Sequence, residues 1–402
     1  MENAQQPEPE KKVNALDKLP ESFKKYLSDS GVDVSVFYDA QYIENLPRYI
    51  RVNPLKSTSL EEIQADLNNQ MTPVNWIPNV YSLPPTMKIS YTQAYKNGEI
   101  YGIDLSSCAV VLALDPKPNE NILDLCCSPG TKLCYIADLM KTQSDKIEGS
   151  LTGNDINQHR LNVCKSLVDK YGHSGLIKLY CDDGTTFKKL AKETELYDKI
   201  LVDAECTHDG SIKHLFKYCQ GGEGKCVEKE EKAKEEVKQE EEVKEDVKDV
   251  KEEEKKMSNK ERKRRAKQRE QHLENLERKK MKINNEWTFE SFEDRVMNEE
   301  KLNNITSLQK NLVVNAFSLL KPQGILVYST CSFIRAQNED VVKFLMEECP
   351  ETKGRLEVID VFDPSIRPNI PCREGFVEKT IRFDPKTSNT GGMFISKLRK
   401  LA

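Results

Sequence analysis

The sequence of 402 residues lacks any run of about 18 consecutive apolar residues, so we expect no membrane-spanning helix. Its first residues, MENAQQPEPEKK, are polar and acid-rich, and they predict neither a secretory signal nor an arginine-rich transit peptide. Twelve cysteines are present, but the paired C-x-x-C spacing of structural zinc sites is missing. The cluster Cys206, His208, His214, Cys219 and Cys226 does not supply it either. We expect free thiols in a reducing compartment, and no bound metal.

What the sequence does contain is an alternation of strands and helices. We predict strands at 121–125, 150–155, 176–184, 199–206 and 325–328, helices at 132–140, 157–172, 305–320 and 337–349, and closing strands at 355–361 and 391–398. Alternation at this pitch predicts an α/β fold with a mostly parallel, doubly wound sheet. In such sheets, ligands bind outside the carboxyl ends of the strands.

The composition divides the chain into four parts. We predict a disordered tail at 1–15, a small N-terminal α+β domain at 16–100, an α/β domain at 101–219 and 301–402, and a charged low-complexity insertion at 220–300. Residues 227–254 carry a net charge of −7 and residues 255–282 carry +9, so the insertion is either disordered or a lone charged helix. Its basic run KERKRRAKQR (260–269) is consistent with a nuclear signal, a nucleic-acid contact or a solvated surface.

The turn after the first strand of the α/β domain, DLCCSPGTK (124–132), leads into a helix, whose first backbone N–H groups are available to hold a polar ligand. It lacks the glycines of a dinucleotide fingerprint and the G-K-[ST] of a phosphate-binding loop. The alternative to a ligand-binding loop is an ordinary tight turn. Asp155 ends the next strand, where a carboxylate suits ribose hydroxyls, and Asp183 ends the third, where it could accept from an adenine amino group. Each aspartate could instead cap a helix.

Two cysteines and a carboxylate follow the next strands. Asp203 and Cys206 come with the fourth strand and Cys331 with the fifth, so the two strand ends should be neighbours beside the nucleotide pocket. A single cysteine is usually a small buried hydrophobe, and we expect this of four others: Cys108, Cys134, Cys164 and Cys349. Core packing explains Cys331 less well, because it stands in a Thr-Cys-Ser turn.

Several segments resemble the RsmB/Sun-type RNA cytosine-5 methyltransferases. They are RVNPLK (51–56), LDLCCSPGTK (123–132), DAECT (203–207), YSTCSFIRAQNE (328–339) and GGMFISKL (391–398), which together span most of the chain outside the tail and the insertion. The resemblance implies a class I S-adenosylmethionine (SAM)-dependent methyltransferase fold, Rossmann-like, with an antiparallel closing strand. It also implies SAM as the cofactor, RNA as the partner, and an RNA-binding type of domain for the N-terminal region 16–100.

The resemblance further implies a role for each site residue. Cys331 would add to carbon-6 of cytosine, Cys206 would help release the product, Asp203 would bind the base, and Lys132 would orient it. A paired target base would have to swing out of its stack. The residues implied to bind SAM are Cys126, Cys127, Ser128, Pro129, Gly130, Thr131, Lys132, Asp155, Asp183 and Asp203.

Three features depart from the family pattern. Glu205 replaces the usual proline before the second cysteine, and we expect its charge to disfavour the thiolate of Cys206. Thr131 replaces a glycine, and Cys127-Ser128 replaces a pair of alanines. These departures leave open an inactive RNA-binding or ribosome-assembly factor with the same fold.

The leading hypothesis is an enzyme that forms 5-methylcytosine in tRNA or rRNA. The folded remainder carries −7, and no RNA-recognition signature with interleaved aromatics is present, so the choice of RNA rests on the resemblance. The basic run predicts the nucleus or nucleolus, with the cytoplasm as the alternative. The target cytosine, the oligomeric state and any protein partner stay undetermined.

Overall fold

The computed structural model describes residues 21–33, 35, 42, 44–188, 196–212 and 289–401. The predicted tail lies outside these residues, and so does the segment 213–288, which contains most of the predicted insertion. This segment includes the ligand candidates His214, Cys219 and Cys226. The chain divides into two units, residues 1–213 with 299–402 and residues 214–298. In the second unit, the described part consists of residues 289–298, which are largely helical.

The described helices are, in chain order, α1 (Glu21–Asp29), α2 (Leu60–Leu67), α3 (Gln93–Lys96), α4 (Leu105–Leu114), α5 (Thr131–Gln143), α6 (Gln158–Lys170), α7 (Phe289–Val296), α8 (Glu299–Leu319), α9 (Glu339–Lys343) and α10 (Pro385–Ser388). Short 3-10 turns occur at Ile89–Tyr91, Arg335–Gln337 and Arg367–Asn369, and a π-helical turn at Phe344–Glu348 follows α9 directly. None of these described helices combines the length and the apolar composition that a membrane crossing requires.

A four-stranded antiparallel sheet forms the N-terminal part. Its strands are β1 (Arg48–Val52), β2 (Thr72–Pro73), β3 (Val80–Leu83) and β4 (Ile100–Gly102), in the order β2-β3-β1-β4. Helix α2 begins with a capping box, in which the Ser59 hydroxyl accepts from the Glu62 N–H and the Glu62 carboxylate accepts from the Ser59 N–H. Ile50, Ile63 and Ile100 pack in the small core between this helix and the sheet. The α+β character predicted for this region is therefore observed.

The second sheet has nine strands: β5 (Asn121–Asp124), β6 (Ser150–Asn154), β7 (Ile177–Tyr180), β8 (Tyr197–Asp203), β9 (Leu320–Thr330), β10 (Leu356–Ile359), β11 (Arg373–Glu374), β12 (Ile381–Phe383) and β13 (Met393–Lys400). The order is β11-β12-β13-β9-β8-β5-β6-β7, with β10 also pairing with β13. Strands β5 to β9 pair in parallel, and β13 is antiparallel to β9. This is the mostly parallel, Rossmann-like sheet that was expected, including its antiparallel closing strand.

Both faces of the central strands are covered, which explains their continuous apolar runs. Ile122 of β5 packs in a cluster with residues of α4, α5 and α6, whereas its neighbour Leu123 packs in a second cluster with residues of α8 and α9. Successive side chains of a strand point to opposite faces, so one short apolar segment serves both layers. The four cysteines expected in the core, Cys108, Cys134, Cys164 and Cys349, are buried there.

Several predicted elements differ from the observed ones in where they begin or end. Strand β7 ends at Tyr180 and β8 ends at Asp203, so Asp183 and Cys206 lie in loops beyond the strands rather than within them. Strand β9 begins at Leu320 and includes Pro322, because the pairing with β8 is interrupted there and resumes at Ile325. The helix predicted at 337–349 begins at Glu339 and becomes π-helical at Phe344.

Candidate active site

The loop between β5 and α5 begins the site. Gly130 precedes the helix with φ of +105°, a conformation that other residues rarely adopt, and a β-carbon there would lie 2.7 Å from the sulfur of Cys164. The hydroxyl of Ser128 is buried in this loop and has no hydrogen-bond partner among the described residues. Together with the open N–H groups of the first turn of α5, it offers polar groups that could hold a small ligand.

The ends of β6 and β7 form the next part of the site. The amide of Asn154 donates to the carbonyl oxygens of Leu125 and Asp182, at 3.2 and 3.1 Å, and so ties three strand ends together. The carboxylate of Asp155 is buried and accepts from the Asn157 N–H at 2.9 Å. Ile156 follows it with an apolar side chain that is 69% exposed. A buried carboxylate beside an exposed apolar surface suits a ribose and an aromatic base.

Asp183 is placed differently from Asp155. It is exposed, and one carboxylate oxygen accepts from both the N–H and the hydroxyl of Thr185, at 2.8 Å each. This carboxylate therefore closes a local turn and does not cap a helix, which was the alternative considered from the sequence. Its second oxygen makes no hydrogen bond among those described, so the loop at the end of β7 can still present an acceptor.

An ion pair links the start of α5 to the end of β8. The amine of Lys132 lies 2.6 Å from the carboxylate of Asp203, and the other oxygen of Asp203 accepts from the Ser329 hydroxyl at 2.8 Å. Burial opposes the charge of Lys132, but the Asp203 carboxylate outweighs it and raises the pKa of the amine. Lys132 is thus a fixed cation, held at the boundary between the β5 loop and the two cysteines.

The two cysteines meet at the ends of β8 and β9. Their sulfur atoms, on Cys206 and Cys331, lie 3.3 Å apart, which is hydrogen-bonding distance for thiols. Hydrogen bonds from Cys206 and from His208 lower the pKa of the Cys331 thiol to about 6, although burial acts in the opposite direction. The bond to Cys331, together with burial, raises the pKa of Cys206 well above its ordinary value. At neutral pH, Cys331 is therefore the thiolate and Cys206 its thiol donor.

A histidine completes the group. Nδ1 of His208 lies 3.1 Å from the sulfur of Cys331, and Nε2 lies 3.2 Å from a carboxylate oxygen of Glu205. These two hydrogen bonds raise the pKa of His208 to about 10. The carboxylate of Glu205 also lies 3.5 Å from the guanidinium of Arg160, whose second nitrogen donates to the Ser128 carbonyl oxygen at 3.2 Å. Arg160 therefore bridges the β5 loop and the loop after β8.

This arrangement corrects the expected effect of Glu205. We expected its charge to act directly on Cys206, but its carboxylate is directed to His208 and Arg160. The pKa of Cys206 is raised as expected, but by Cys331, burial and Asp209.

Hydrogen bonds hold the loops after β8 and β9 together. The side-chain amide of Gln337 both accepts from the Thr207 N–H at 3.1 Å and donates to its hydroxyl at 3.0 Å. The carboxylate of Asp209 accepts from the Phe333 N–H at 2.7 Å. A β-carbon on Gly210 would lie 2.3 Å from the carbonyl oxygen of Cys331, so only glycine permits this approach. The two cysteines are thus held in place by buried polar contacts.

Cys206, His208 and Cys331 place one donor atom each within 4.8 Å of one another, as a soft metal ion would require. The contacts of 3.1 and 3.3 Å between these atoms are also those of direct hydrogen bonds. Hydrogen bonding accounts for the trio without an ion, and the fourth ligand of a structural zinc site is missing among the described residues.

Among the described residues, cavities also occur outside this group. One of about 1300 Å³ is lined by Trp76, Phe362 and Lys397, and it includes none of the predicted site residues. A cleft of about 390 Å³ is lined by Arg48, Asp104, Ser211 and Gly391 among others, and it adjoins the loop after β8. The predicted site residues therefore lie at the strand ends and not in the larger of these two cavities.

The structure brings Lys132, Asp203, Cys206 and Cys331 together, and the β5 loop and Asp155 lie beside them. From the sequence, we considered His208 only as a metal ligand, and we expected neither Ile156 nor Arg160 in the site. The signal for His208 was present, since it stands two residues after Cys206, but its contact with Cys331 joins positions 123 residues apart.

Comparison with known proteins agrees with this geometry. The model of the family described as "16S rRNA methyltransferase RsmB/F" matches residues 111–218 and 294–399, which is more than half of the chain. The chain is 26% identical over 400 residues to the tRNA (cytosine(49)-C(5))-methyltransferase of Pyrococcus abyssi, covering 97% of both chains. It is 25% identical over 315 residues to the probable ribosomal RNA small subunit methyltransferase B of Bacillus subtilis, covering 78% of this chain but only 50% of that one.

Solved structures show the same fold. The structure titled NSun6 from Pyrococcus horikoshii with SFG matches 96% of this chain and 100% of that one, with a TM-score of 0.63 and 17% identity. A methyltransferase homolog protein from Pyrococcus horikoshii matches 95% and 100%, with a TM-score of 0.57 and 21% identity.

Proposed function

The chain belongs to the RsmB/F family of methyltransferases, and from this premise we propose that it forms 5-methylcytosine in tRNA or rRNA through a covalent adduct on Cys331. The methyl donor of the family is SAM, which supplies an electrophilic methyl group that cytosine carbon-5 cannot attack unaided. The observation that carries the proposal is the position of the Cys331 sulfur, 3.3 Å from that of Cys206 and 3.1 Å from Nδ1 of His208, beside the Lys132–Asp203 ion pair and next to the β5 loop.

The residues at the strand ends fit SAM. The buried carboxylate of Asp155 suits the ribose hydroxyls, and the exposed side chain of Ile156 provides an apolar surface for the adenine. The unpartnered hydroxyl of Ser128 and the first N–H groups of α5 suit the amino-acid portion. Asp183 could accept from the adenine amino group, and the other residues of the β5 loop would line the site.

In the first step, the sulfur of Cys331 would add to carbon-6 of the target cytosine, and this addition makes carbon-5 nucleophilic. Asp203 would hydrogen-bond the amino group and ring nitrogen 3, and so stabilise the adduct. Lys132 would fix the orientation of Asp203 and of the base. After carbon-5 gives its proton to a water molecule, Cys206 would assist release of the product. A base in a paired region must first leave its stack to reach these groups.

The test is incubation of the protein with tRNA and rRNA transcripts and SAM labelled on its methyl group. We expect label on cytosine carbon-5, found by nucleoside mass spectrometry, and none with Cys331→Ala. Full activity of that variant would refute the nucleophile. Absence of SAM binding in calorimetry would instead support the inactive RNA-binding or assembly factor.

The basic run at 260–269 is the only ground for a location, and it lies outside the described residues. We extend the proposal to the nucleus or nucleolus, with the cytoplasm as the alternative. A fluorescent fusion whose location is unchanged after the basic residues of this run are replaced would contradict the nuclear assignment.

A further inference from the structure

The loop after β8 contains a histidine in the left-handed backbone region. His208 has φ of +57°, a conformation that glycine adopts freely and that, among other residues, asparagine, aspartate and histidine enter most often. Such conformations persist where surrounding contacts hold them. Here the contacts are at both ends of the ring, since Nδ1 reaches Cys331 and Nε2 reaches Glu205.

We propose that His208 is a catalytic residue that takes the proton of Cys331, and that Glu205 is the positioning residue that orients its ring. The proposal rests on Cys331 being the nucleophile, and it deepens the proposed function by assigning the activation of the thiol. The sequence Glu205-Cys206-Thr207-His208 would thus supply, from one loop, an acid–base partner for a cysteine on the neighbouring strand.

The geometry meets the requirements for this role. A general base must lie within hydrogen-bonding distance of the proton that it removes, and Nδ1 of His208 lies 3.1 Å from the Cys331 sulfur. Both ring nitrogens have a partner, so the ring cannot turn without losing the Glu205 contact of 3.2 Å. A carboxylate on Nε2 stabilises the imidazolium that forms, as in other nucleophile–histidine–acid arrangements.

Among the described residues, charged and titratable groups face the pair from several elements. Cys206 and Asp209 lie in the same loop as His208, Asp203 ends β8, Lys132 begins α5, and Arg160 of α6 contacts Glu205. Asp203 opposes ionisation of Cys331, whereas Cys206 and His208 favour it, and the pKa of the thiol falls to about 6. The pKa of His208 rises to about 10, so thiolate and imidazolium coexist between these two values.

The proton step balances within the protein. The S–H bond of Cys331 breaks, its electron pair stays on sulfur, and the proton forms an N–H bond at Nδ1 of His208. The thiolate then uses that pair to form the bond to carbon-6 of cytosine, and the same pair returns to sulfur when the adduct breaks. His208 keeps its proton throughout, so the thiolate is regenerated ready for the next base.

The test measures the ionisation of Cys331 without methylation, so it stands apart from the proposed function. The full chain is treated with iodoacetamide from pH 5 to 10, and the modification of Cys331 is followed by peptide mass spectrometry. We expect a midpoint near 6 in the parent protein. In His208→Gly and His208→Asn the midpoint should rise by about 2 units, which slows the reaction at pH 7 about tenfold.

Glycine and asparagine are the matched replacements, because both accept the left-handed backbone. We expect their thermal unfolding midpoints to equal or exceed that of the parent, so a slower reaction cannot be assigned to lost folding. Glu205→Gln keeps a hydrogen-bond acceptor without the charge, and it should raise the Cys331 midpoint by less than the His208 variants do. If Glu205 contributed only to folding, the Glu205→Gln variant would show the same pH profile of Cys331 modification as the parent protein.

Two outcomes would overturn the proposal. One is a Cys331 pH profile that is the same in the parent and in both His208 variants. The other is a chelator, added in excess, that accelerates modification of Cys331 in the parent protein, because His208 would then serve as a metal ligand. Methylation activity enters neither outcome, so failure of the proposed function would be recognised separately by the labelled-SAM assay.

Discussion

Two pairs of cysteines in this fold have similar geometry and opposite character. The sulfurs of Cys127 and Cys164 lie 3.9 Å apart between the β5 loop and α6, and those of Cys206 and Cys331 lie 3.3 Å apart between the ends of β8 and β9. In the first pair, the bond to Cys164 and burial both raise the pKa of Cys127. In the second, the pKa of one member falls to about 6. Proximity of two thiols therefore does not itself produce a nucleophile.

The difference lies in what surrounds each pair. The first pair is packed among apolar residues of the core, with Gly130 allowing the loop to approach the helix. The second pair adjoins His208 and, farther out, the Lys132–Asp203 ion pair. A cationic partner stabilises a thiolate, whereas burial without such a partner destabilises it. The carboxyl ends of the strands supply that partner because their loops are free to carry polar residues.

The largest expected contrast is in reactivity toward an alkylating reagent. At pH 7 most of Cys331 is ionised, whereas burial and its partner keep Cys127 protonated. We expect Cys331 to react with iodoacetamide at least about 1000-fold faster than Cys127, because the thiolate is the reactive form. Peptide mass spectrometry of a time course measures both rates in one sample. Comparable alkylation rates at Cys331 and Cys127 would contradict the claim that only Cys331 is ionised at neutral pH.

The next contrast concerns the second member of each pair. Cys206→Ala should lower turnover about 100-fold, in the range of lost acid–base assistance, and should leave RNA attached covalently to Cys331. Denaturing gel electrophoresis after incubation with RNA and SAM would show the adduct. Cys164→Ala is the matched control, since it also removes the sulfur partner of a cysteine, and it should form no adduct. An adduct in neither variant would contradict release by Cys206.

A smaller effect is expected from Gly130→Ala. The added β-carbon would lie 2.7 Å from the Cys164 sulfur, and φ of +105° is strained for alanine, so the free energy of unfolding should fall by about 2 kcal/mol. Urea unfolding measures it. Adding Cys164→Ala should restore part of this loss, because it removes the clash but leaves the strained backbone. No recovery in the double variant would show that the clash is not the cause.

The smallest effect is expected from Cys164→Ala alone. It removes one buried sulfur and a weak hydrogen bond, so the free energy of unfolding should fall by about 1 kcal/mol. Methylation at saturating SAM should stay within about twofold of the parent. A loss of activity comparable to that of Cys206→Ala would mean that the Cys127–Cys164 pair also takes part in the reaction, which would contradict the contrast between the two pairs.

Much of the fold could be predicted because its signals are local. The apolar runs at 121–125 and 199–206 predicted β5 and β8, and the spacing at 305–320 predicted α8. Errors occurred at the ends of elements: β7 stops at Tyr180, and β9 contains Pro322 because a break in pairing accommodates it. Such ends depend on neighbouring strands, and a single segment does not contain that information.

The sequence by itself determined the order of strands and helices, the chemistry available at each strand end, and the family to which the chain belongs. These follow from short segments, in which residue type and spacing act locally. Only the tertiary structure decided that Glu205 serves His208 rather than acting directly on Cys206, and that His208 faces Cys331 from a position 123 residues away. That contact exists because parallel pairing of β8 with β9 brings their carboxyl ends to one edge of the sheet.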